Sequence, residues 1–570
     1  MLLPKKALQN VKEYEIPMFD EHTELKLDSN ENNFGPSPKV LEALRSCDIS
    51  DISFYPYYGE LTEKVAKNFG VKFKQVKITN GADEALQSII QTYLSEGEAL
   101  LTLDIAFEMP NIYTLIQGGI IKEVPFEKKW AFPLNSFMTA LDDNKVKVVY
   151  LTSPNNPTAN VIAEGDLVKI LESAKDKVVI LDETYANYCG VSYVKYINKY
   201  DNLFVVRSFS KDYALAGLRL GCIISNEENI INVKKVLAPY SINSLVVKAA
   251  MAALDDNSYI CEVKEKIEKL KSELKLFLES FGFTVYPSST NFLLINCGAK
   301  TGFIYNCLKN ANISVKMYKK GPLAGNYLRI TIPTETGVNK IKSALKIKPY
   351  LVFDMDGVLI NAKASYREAI AKTFEYFAKE KVSQEEIQKT KNLGGLNNDW
   401  DLTKFLLERR NIYVDYSALV KVFQSYYWNE GKGLINNETP LFDRKLFEEL
   451  KQNYNLAIFT GRLKNEAMFA LNKLGVADMF YPIITTDDIP FDKCKPDPFG
   501  INKVKELTIA EKYYYFGDTT DDIKAACGAG CVAVGVLPPQ DKSEELSNSY
   551  KKHNATYVLH SINDIKSILE

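Results

Sequence analysis

A lysine with hydroxyl neighbours is the first residue in this sequence whose setting indicates chemistry. Lys211 follows Ser208 and Ser210 directly after an apolar run, and Arg219 comes eight residues later. An isolated Lys is usually a solvated surface residue, so its neighbours decide the interpretation. Hydroxyls and a guanidinium beside a Lys suit a phosphate-bearing cofactor that the lysine binds covalently.

Three further segments upstream fit a pyridoxal 5′-phosphate (PLP) site. A carboxylate at Asp182 can keep a pyridine nitrogen protonated, and Asn156 and Tyr185 can donate to a ring oxygen. Residues 80–84, Asn-Gly-Ala-Asp-Glu, precede a predicted helix whose first amides can bind phosphate. Each segment alone also fits a turn or a helix cap, but four such segments in this order favour the cofactor site.

A second set of candidate residues lies beyond residue 350. The set comprises Asp354, Asp356, Thr460, Lys495, Asp518 and Asp522. Its residue types suit phosphoryl transfer, because a carboxylate can attack phosphorus, acidic oxygens bind Mg²⁺, and Thr and Lys offset phosphoryl charge. A single Asp-x-Asp would be more simply a turn or a calcium loop, and the later residues decide against that alternative.

The elements that position both sets alternate between short buried strands and helices. Apolar runs predict strands at 146–151, 178–181, 203–206, 351–353, 456–459 and 513–516. Helical patterns separate the strands, as at 257–282 and 364–380. The sequence therefore predicts an α/β class with ligands at the carboxyl ends of parallel strands. A break near 346–349 predicts two domains, 1–347 and 350–570.

Composition excludes several classes of protein. The net charge of −2 provides no excess of cations for a nucleic acid. Nine scattered cysteines predict reduced thiols in a cytoplasmic protein, and three histidines without ligand spacing argue against a zinc site. We find no signal-peptide pattern at the start and no stretch of roughly 18 apolar residues, so no membrane association is expected.

The first half resembles fold-type I aminotransferases, and specifically the histidinol-phosphate aminotransferase family, over about residues 27–346. The matching segments include 30–32, 35–38, 55–56, 80–84, 153–158, 182–185, 208–221, 291–292 and 327–331. The resemblance implies a large PLP domain with a small domain, and covalent attachment of PLP to Lys211. It also implies a homodimer, because Tyr55 matches a residue that reaches the neighbouring subunit's cofactor.

The same resemblance implies the remaining contacts of this site. Cofactor contacts are expected from Tyr55, Ala82, Asp83, Phe107, Asn156, Asp182, Tyr185, Ser208, Ser210 and Arg219. Substrate contacts are expected from Asn30, Lys316 and Arg329, of which Arg329 can clamp an anionic group through its planar fork.

Three positions depart from the family pattern. Phe107 replaces a Tyr that stacks on the cofactor ring, and stacking survives this change. Ala159 replaces a turn Gly, so the turn is expected to differ slightly. Lys316 stands where a second substrate-side Arg is common, which keeps the charge but loses the fork.

Residues 350–570 resemble the haloacid dehalogenase superfamily, with all four of its motifs in order. The resemblance implies a Rossmann-like fold with Asp354 as nucleophile and Asp356 as general acid and then base. Thr460 and Lys495 would bind the phosphoryl group. Mg²⁺ would be held by Asp354, Asp518 and the backbone carbonyl of Asp356, with Asp522 in support.

A helical cap is expected at about 365–440, between the first two motifs. Its loop 394–400 contains Asp399, which could bind a substrate amine, and Trp400, which could stack on a ring. The double Gly at 394–395 permits hinge-like backbone angles. The alternative is a polar loop between helices with a packed Trp.

Together the two halves predict a bifunctional enzyme. The expected reactions are transamination of imidazole acetol phosphate with glutamate to histidinol phosphate, and Mg²⁺-dependent hydrolysis of a phosphate ester, for which histidinol phosphate is the candidate. The first half could instead be an aromatic aminotransferase or a threonine-phosphate decarboxylase. The second could hydrolyse another small phosphate ester or have only a regulatory role.

Overall fold

The computed structural model describes residues 2–9, 11–12, 22–391 and 398–569. Its contacts divide the chain into two compact units. The first unit comprises the residues up to Thr301 together with Cys307–Leu345, and the second comprises Gly302–Asn306 with the residues from Lys346 onward. Within the described residues, no helix combines the length and apolar composition that crossing a membrane requires.

The first unit contains two sheets. Its strands are β1 (Leu25–Leu27), β2 (Val76–Asn80), β3 (Ala99–Leu103), β4 (Ile120–Val124), β5 (Val146–Thr152), β6 (Val178–Asp182), β7 (Leu203–Ser208), β8 (Leu220–Ile224), β9 (Thr284–Val285), β10 (Phe292–Asn296), β11 (Ile313–Met317) and β12 (Tyr327–Thr331). Seven form a sheet in the order β2-β8-β7-β6-β5-β3-β4, in which β8 runs antiparallel to both neighbours. The other five form the order β1-β11-β12-β10-β9.

The first unit also contains α-helices, so its fold class is α/β, as predicted. They are α1 (Pro38–Arg45), α2 (Ile49–Ser53), α3 (Gly59–Phe69), α4 (Gly81–Tyr93), α5 (Met109–Ile116), α6 (Leu134–Leu141), α7 (Glu164–Ser173), α8 (Ala186–Cys189), α9 (Glu227–Val233), α10 (Ser244–Leu254), α11 (Asn257–Glu279), α12 (Thr301–Asn310) and α13 (Glu335–Ala344). The longest, α11, buries Val263, Ile267, Leu270, Leu274 and Leu278. That spacing of three or four residues places one apolar stripe against the protein.

Both faces of the seven-stranded sheet are buried. In β5, Val148 and Tyr150 belong to one apolar cluster, whereas Val149 and Leu151 belong to a second cluster. Successive side chains of a strand point to opposite faces, so the two clusters lie on the two sides of the sheet. This explains why the strand reads as a continuous apolar run.

The second unit is built on a six-stranded parallel sheet. The strands of the second unit, two of which lie outside this sheet, are β13 (Tyr350–Phe353), β14 (Ile360–Asn361), β15 (Thr439–Pro440), β16 (Asn455–Phe459), β17 (Ile483–Ile484), β18 (Tyr513–Gly517), β19 (Val532–Val536) and β20 (Tyr557–Leu559). The sheet order is β17-β16-β13-β18-β19-β20, which places β13 between β16 and β18. The short β14 and β15 pair separately.

Helices of the second unit fall into two groups. Among the described residues, four lie between β14 and β15 in the chain: α14 (Tyr366–Ala378), α15 (Gln384–Lys391), α16 (Asp399–Glu408) and α17 (Tyr416–Tyr427). Five follow β15: α18 (Arg444–Asn453), α19 (Lys464–Lys473), α20 (Phe499–Leu507), α21 (Thr520–Gly528) and α22 (Glu544–Lys552). The first group has an apolar cluster of its own and therefore forms a helical cap joined to the sheet through β14 and β15.

Candidate active sites

Lys211 lies just beyond the carboxyl end of β7 and is largely enclosed by protein. Its Nζ donates a hydrogen bond to the backbone oxygen of Ser29 at 2.7 Å. Burial, together with the positive charge of Arg329, lowers the pKa of Lys211 from 10.5 to about 8. An amine with that pKa is partly neutral near physiological pH and can act as a nucleophile or a base.

Asp182 ends β6, next to β7 in the same sheet. Its carboxylate accepts hydrogen bonds from the Thr184 hydroxyl at 2.6 Å and the Tyr150 hydroxyl at 3.1 Å. Burial raises the pKa of Asp182 despite these donors. A positively charged partner, such as a protonated pyridine nitrogen, would stabilise this buried carboxylate.

A tight backbone approach forms a cradle at the start of α4. A Cβ atom on Gly221 would lie 2.4 Å from the carbonyl carbon of Gly81 and 2.7 Å from the amide nitrogen of Ala82. The side chain of Asn80 does not cap the helix. Arg219 pairs with Asp83 at 2.6 Å beside this helix start. The arrangement suits a phosphate bound by first-turn amides.

The hydroxyl-bearing residues before Lys211 are also buried in this region. Ser208 ends β7, and its Oγ accepts a hydrogen bond from the amide of Ser210 at 3.2 Å. Both side chains are more than nine-tenths buried. These hydroxyls can add donors to those of α4.

Two hydrogen bonds bring the expected ring and substrate ligands together. The Asn30 amide donates to the Tyr185 hydroxyl at 2.9 Å, and Nη1 of Arg329 donates to Oδ1 of Asn156 at 2.6 Å. The Nε atom of Arg329 is buried without a partner among the described residues. Lys316 of β11 stands opposite Arg329 of β12 in their antiparallel pairing. The pair can therefore present two cations to one anionic group.

In the second unit, Asp354 follows β13 and shares a buried lysine with Asp522. Lys495 Nζ lies 2.7 Å from Oδ1 of Asp354 and 2.8 Å from Oδ1 of Asp522. Burial raises the pKa of Asp354 to about 7, while Lys495 opposes that rise. Thr460, fully buried at the end of β16, accepts a hydrogen bond from the amide of Arg462 at 3.3 Å.

A cluster of carboxylates next to this lysine has the composition of a site for a hard cation. Oxygens of Asp354, Asp518 and Asp522 lie within 4.8 Å of one another. Burial raises the pKa of Asp518 to about 8, and repulsion from Asp354 adds to the shift. A Cβ on Gly357 would stand 2.1 Å from Oδ2 of Asp518, so only glycine leaves room for that carboxylate. Carboxylate oxygens are the ligands that Mg²⁺ prefers.

Asp522 is already saturated by protein donors. Its oxygens accept from the Thr519 hydroxyl at 2.6 Å and from the Tyr515 hydroxyl at 3.1 Å, in addition to Lys495. Although burial opposes ionisation, Lys495 and these donors hold the pKa of Asp522 below its ordinary value. Asp522 therefore suits a supporting role, and Asp354 and Asp518 are better placed as direct ligands.

The carboxylate of Asp356 accepts hydrogen bonds from Arg462. Nε of Arg462 donates to one oxygen at 3.1 Å and Nη2 donates to the other at 2.6 Å. Arg462 also donates to both oxygens of Glu438, at 2.8 and 3.0 Å. The sequence motif Thr-Gly-Arg contains Arg462, but no role for it was expected.

An open cavity lies between the cap and the carboxylate cluster. It is lined by Asp356, Gly357, Ala362, Tyr366, Arg367, Ile370, Ile387, Lys391, Asp399, Asp518 and Gln540. Asp399 is thus among the residues that line this cavity. Burial raises the pKa of Asp399, and the positive charge of Lys391 opposes that shift.

Comparison with known proteins gives a match for each half of the chain. Residues 22–345 match the profile described as aminotransferase class I and II. A histidinol-phosphate aminotransferase of Clostridium beijerinckii is 34% identical over 326 residues, which cover 54% of this chain and 87% of that relative. Another from Brachyspira hyodysenteriae is 31% identical over 335 residues, covering 56% and 92%.

A solved structure agrees in fold. Histidinol-phosphate aminotransferase from Sinorhizobium meliloti, in complex with pyridoxal-5′-phosphate, superposes with a TM-score of 0.54 at 24% identity, covering 57% of this chain and 90% of that one. The chain belongs to the aminotransferase class I and II family. Its aminotransferase part is followed by residues 351–536, which match the profile described as haloacid dehalogenase-like hydrolase. The protein is therefore an enzyme with an aminotransferase domain and a hydrolase-like domain.

The departures of the aminotransferase domain from its family pattern have plain structural outcomes. Ala159 takes a φ of 63°, in the left-handed region that favours glycine, so the turn has a glycine-type conformation at this position although the residue is Ala. Phe107 packs against the apolar cluster around α4 and β3. Tyr55, which matches the family pattern, is 78% exposed and stacks on Tyr240 with ring centroids 4.3 Å apart.

The aminotransferase domain also contains a buried polar network that sequence reasoning missed. Arg207 pairs with Glu183 at 2.9 Å and donates to Oδ1 of Asn187 at 2.5 Å, and Asn187 in turn donates to Asp212. Glu183 and Asp212 directly follow Asp182 and Lys211 in the chain. The network therefore fixes the two segments that contain Asp182 and Lys211, and such purely tertiary pairing leaves no signal in the sequence.

Of the two interpretations of Trp400, the structure favours the packed one. Trp400 is partly buried and packs against the cap's apolar cluster, with its ring 6.5 Å from that of Phe423, and it is not among the cavity-lining residues. Residues 394–397 of the same loop lie outside the described residues. Arg367 and Lys391, both missed in the sequence, line the cavity instead.

Proposed function

We propose that the chain is a bifunctional enzyme with a PLP-dependent transaminase at 1–347 and a Mg²⁺-dependent phosphatase at 350–570, the latter carrying a helical cap at about 365–440. The observation that carries the proposal is the presence of two clusters of reactive side chains. One centres on Lys211 with its lowered pKa, and the other on the buried Asp354–Lys495 pair.

For the first activity, PLP would be held by Lys211, by Asp182 and by the cradle at the start of α4. When bound, PLP supplies an electron sink that makes a proton on the substrate's α-carbon removable. The ε-amino group of Lys211 can accept that proton and return it, because its pKa is near neutrality. The buried Nε of Arg329 has no hydrogen-bond partner in the described part of the chain, which supports a role for Arg329 in binding an anionic substrate group.

Imidazole acetol phosphate and glutamate are the proposed substrates, and histidinol phosphate is the proposed product. This choice rests on the names of the relatives that share about a third of their residues with the aminotransferase domain. Arg329 and Lys316, opposite each other in β12 and β11, suit the phosphate or carboxylate of these substrates.

For the second activity, Asp354 would attack the phosphorus of a phosphate ester. As the Asp354–phosphorus bond forms and the bond to the ester oxygen breaks, Asp356 in its protonated form gives its proton to the leaving oxygen and becomes a carboxylate. Water then attacks phosphorus, its proton passes to Asp356, and the Asp354–phosphorus bond breaks to release phosphate. Thr460 and Lys495 offset charge on the transferred group, and Mg²⁺ would be held by Asp354 and Asp518.

Both sites are proposed to act on one carbon skeleton, so that histidinol phosphate made in the first half is hydrolysed in the second. The fusion itself and the carboxylate of Asp399 in the cap cavity support this proposal. A carboxylate there can pair with the amine that the first reaction installs.

A cytoplasmic homodimer completes the proposal. An exposed apolar surface around α2 supports it: Ile49, Ile52, Phe54, Tyr55 and Tyr57 each expose more than two-thirds of their surface. Several exposed apolar side chains in one short segment favour an interaction surface, and a second copy would bring Tyr55 to its neighbour's site.

The test is to incubate purified protein with imidazole acetol phosphate and glutamate and to follow histidinol phosphate, histidinol and free phosphate over time. Histidinol phosphate should rise first, and histidinol and phosphate should follow in equal amounts. Accumulation of histidinol phosphate without phosphate would leave the transaminase in place and remove the shared substrate. No histidinol phosphate at all would remove the proposed transamination.

A further inference from the structure

Arg462 is the most completely buried cation of the described second unit. Its side chain is 1% exposed and makes four hydrogen bonds to two carboxylates, those of Asp356 and Glu438. A buried guanidinium held this way has one orientation, because its planar fork must match both partners. The orientation of the Asp356 carboxylate is therefore determined by where Arg462 is held.

Glu438 links Arg462 to the chain segments that connect the helical cap with the rest of the second unit. It directly precedes β15, and it accepts a hydrogen bond from the Ser365 hydroxyl at 2.9 Å. Ser365 is the residue before α14, the first cap helix. The guanidinium of Arg462 also lies 5.0 Å from the ring centroid of Tyr366. The chain enters the cap beside Ser365 and leaves it beside Glu438, so Arg462 contacts both connections.

We infer that Arg462 is a positioning residue for Asp356, anchored by Glu438 at the cap connections, an inference that rests on the proposed phosphatase function. Proton transfer to an ester oxygen requires the carboxyl group to lie at hydrogen-bond distance and to point at that oxygen. Small misplacements lower the rate strongly. Two donors from one rigid fork define that placement. An ammonium group supplies donors from a single point and cannot.

The alternative is that Arg462 only stabilises the fold as a buried ion pair. Loss of stability would lower activity toward every ester alike. Loss of positioning would act selectively, because an alkoxide leaving group needs the proton from Asp356 whereas p-nitrophenolate leaves without one. The dependence of kcat/KM on the leaving group therefore separates the two roles.

The experiment compares wild type, Arg462→Lys, Glu438→Gln and Asp356→Asn on glycerol 2-phosphate and p-nitrophenyl phosphate. Arg462→Lys keeps the buried charge that Glu438 needs, which favours folding. We expect kcat/KM for glycerol 2-phosphate to fall about tenfold or more, and that for p-nitrophenyl phosphate to fall less than about threefold. Glu438→Gln should shift the ratio in the same direction by a smaller factor.

A double-mutant comparison tests whether Arg462 acts through Asp356. In an Asp356→Asn background, Arg462→Lys should change kcat/KM for glycerol 2-phosphate by less than about twofold, since the group it positions is already lost. Arg410→Lys is the matched control. Arg410 donates to both oxygens of Glu386 on the cap, at 3.1 and 3.0 Å, so its loss removes a similar fork elsewhere. The control should leave the ratio of the two substrates unchanged.

Equal losses on both substrates in Arg462→Lys, or effects of Arg462→Lys and Asp356→Asn that multiply, would overturn the inference. Circular dichroism and thermal melting of each variant identify any that fails to fold, and Glu438→Gln then carries the test. A wild type without Asp354-dependent hydrolysis would overturn the proposed phosphatase itself, and that result is visible before any Arg462 variant is measured.

Discussion

Lys495 holds Asp354 through a 2.7 Å contact and holds Asp522 through a second contact of 2.8 Å, so one buried ammonium group serves two carboxylates. A buried carboxylate without such a partner would be neutral, because burial disfavours its charge. The pairing therefore keeps Asp354 available as an anion beside a further carboxylate, Asp518. Asp354 is the residue whose chemistry the next prediction tests.

Asp354→Asn should abolish phosphate release, by about a thousandfold or more, and leave transamination unchanged. A neutral amide cannot attack phosphorus and binds Mg²⁺ poorly. Its amide oxygen can still accept a hydrogen bond from Lys495, which also keeps Asp522, so the fold should persist. Colorimetric phosphate release measures the first effect, and glutamate-dependent transamination in the same sample measures the second.

Metal removal is the companion measurement. EDTA should stop phosphate release by wild type, and added Mg²⁺ should restore it, with no change in transamination. Full hydrolysis by metal-stripped protein, or by Asp354→Asn, would contradict the mechanism.

Gly357→Ala should weaken Mg²⁺ binding by about tenfold or more, because the new Cβ would displace the Asp518 carboxylate that it meets at 2.1 Å. Gly530→Ala is the matched control. Both glycines have positive φ, 76° and 64°, but a Cβ on Gly530 meets nothing within 4 Å. Titration of phosphate release against Mg²⁺ should give a raised half-saturation only for Gly357→Ala. Equal shifts in both variants would mean that backbone strain alone is responsible.

Lys211→Ala should lose the visible absorbance of lysine-bound PLP and essentially all transamination. Phosphate release should persist, because its proposed residues all belong to the other unit. An absorption spectrum before and after dialysis against PLP measures the first effect. A variant with an unchanged spectrum would assign the attachment to another lysine.

The pH dependence of PLP uptake follows from the lowered pKa of Lys211, about 8 against an ordinary value of 10.5. Only the neutral amine can attack the cofactor's carbonyl carbon. The uptake rate of apoenzyme should therefore rise with pH up to about 8 and level off above it. Stopped-flow absorbance at a series of pH values measures this rate. A rate still rising tenfold per pH unit at about pH 9.5 would show a lysine near its ordinary pKa.

The sequence predicted strands and strand-end residues well, because local composition determines both. The run 203–206 corresponds to β7 (Leu203–Ser208), and 456–459 to β16 (Asn455–Phe459). Strands buried on both faces read as apolar runs, and the polar residues that end them must lie at the sheet's carboxyl edge. Lys211, Asp182, Asp354 and their neighbours are recognisable for that reason.

Partners brought together by tertiary structure were not predictable in the same way. Glu438 is 24 residues from Arg462 and lies at a cap connection that only the packed structure defines. An aromatic residue in a polar loop, such as Trp400, fits a ligand-stacking role and a packed role equally well, and only the structure shows it packed against the cap's apolar cluster at the start of α16. Periodicity gives the face of an element but not what packs against it.

Asp399 is the residue on which the shared substrate depends, and Asp399→Ala should lower kcat/KM for histidinol phosphate far more than for p-nitrophenyl phosphate. Losing a partly buried partner of the substrate amine costs about 1–3 kcal/mol, or about tenfold to a hundredfold in specificity. Asp401→Ala is the matched control, since Asp401 is also an acidic residue in the first turn of α16 but does not line the cavity.

The two cations beside Asp399 set the condition under which this prediction holds. Lys391 and Arg367 line the same cavity, so the substrate amine must compete with Lys391 for the carboxylate. If the amine displaces Lys391 from the Asp399 carboxylate, Asp399→Ala loses selectivity for histidinol phosphate over p-nitrophenyl phosphate and Asp401→Ala does not. If Asp399 serves only to neutralise Lys391, both substrates lose equally in Asp399→Ala, and the cap reads a group other than the amine. A wild type that prefers p-nitrophenyl phosphate to histidinol phosphate would separate the two reactions and leave the fusion without a shared substrate.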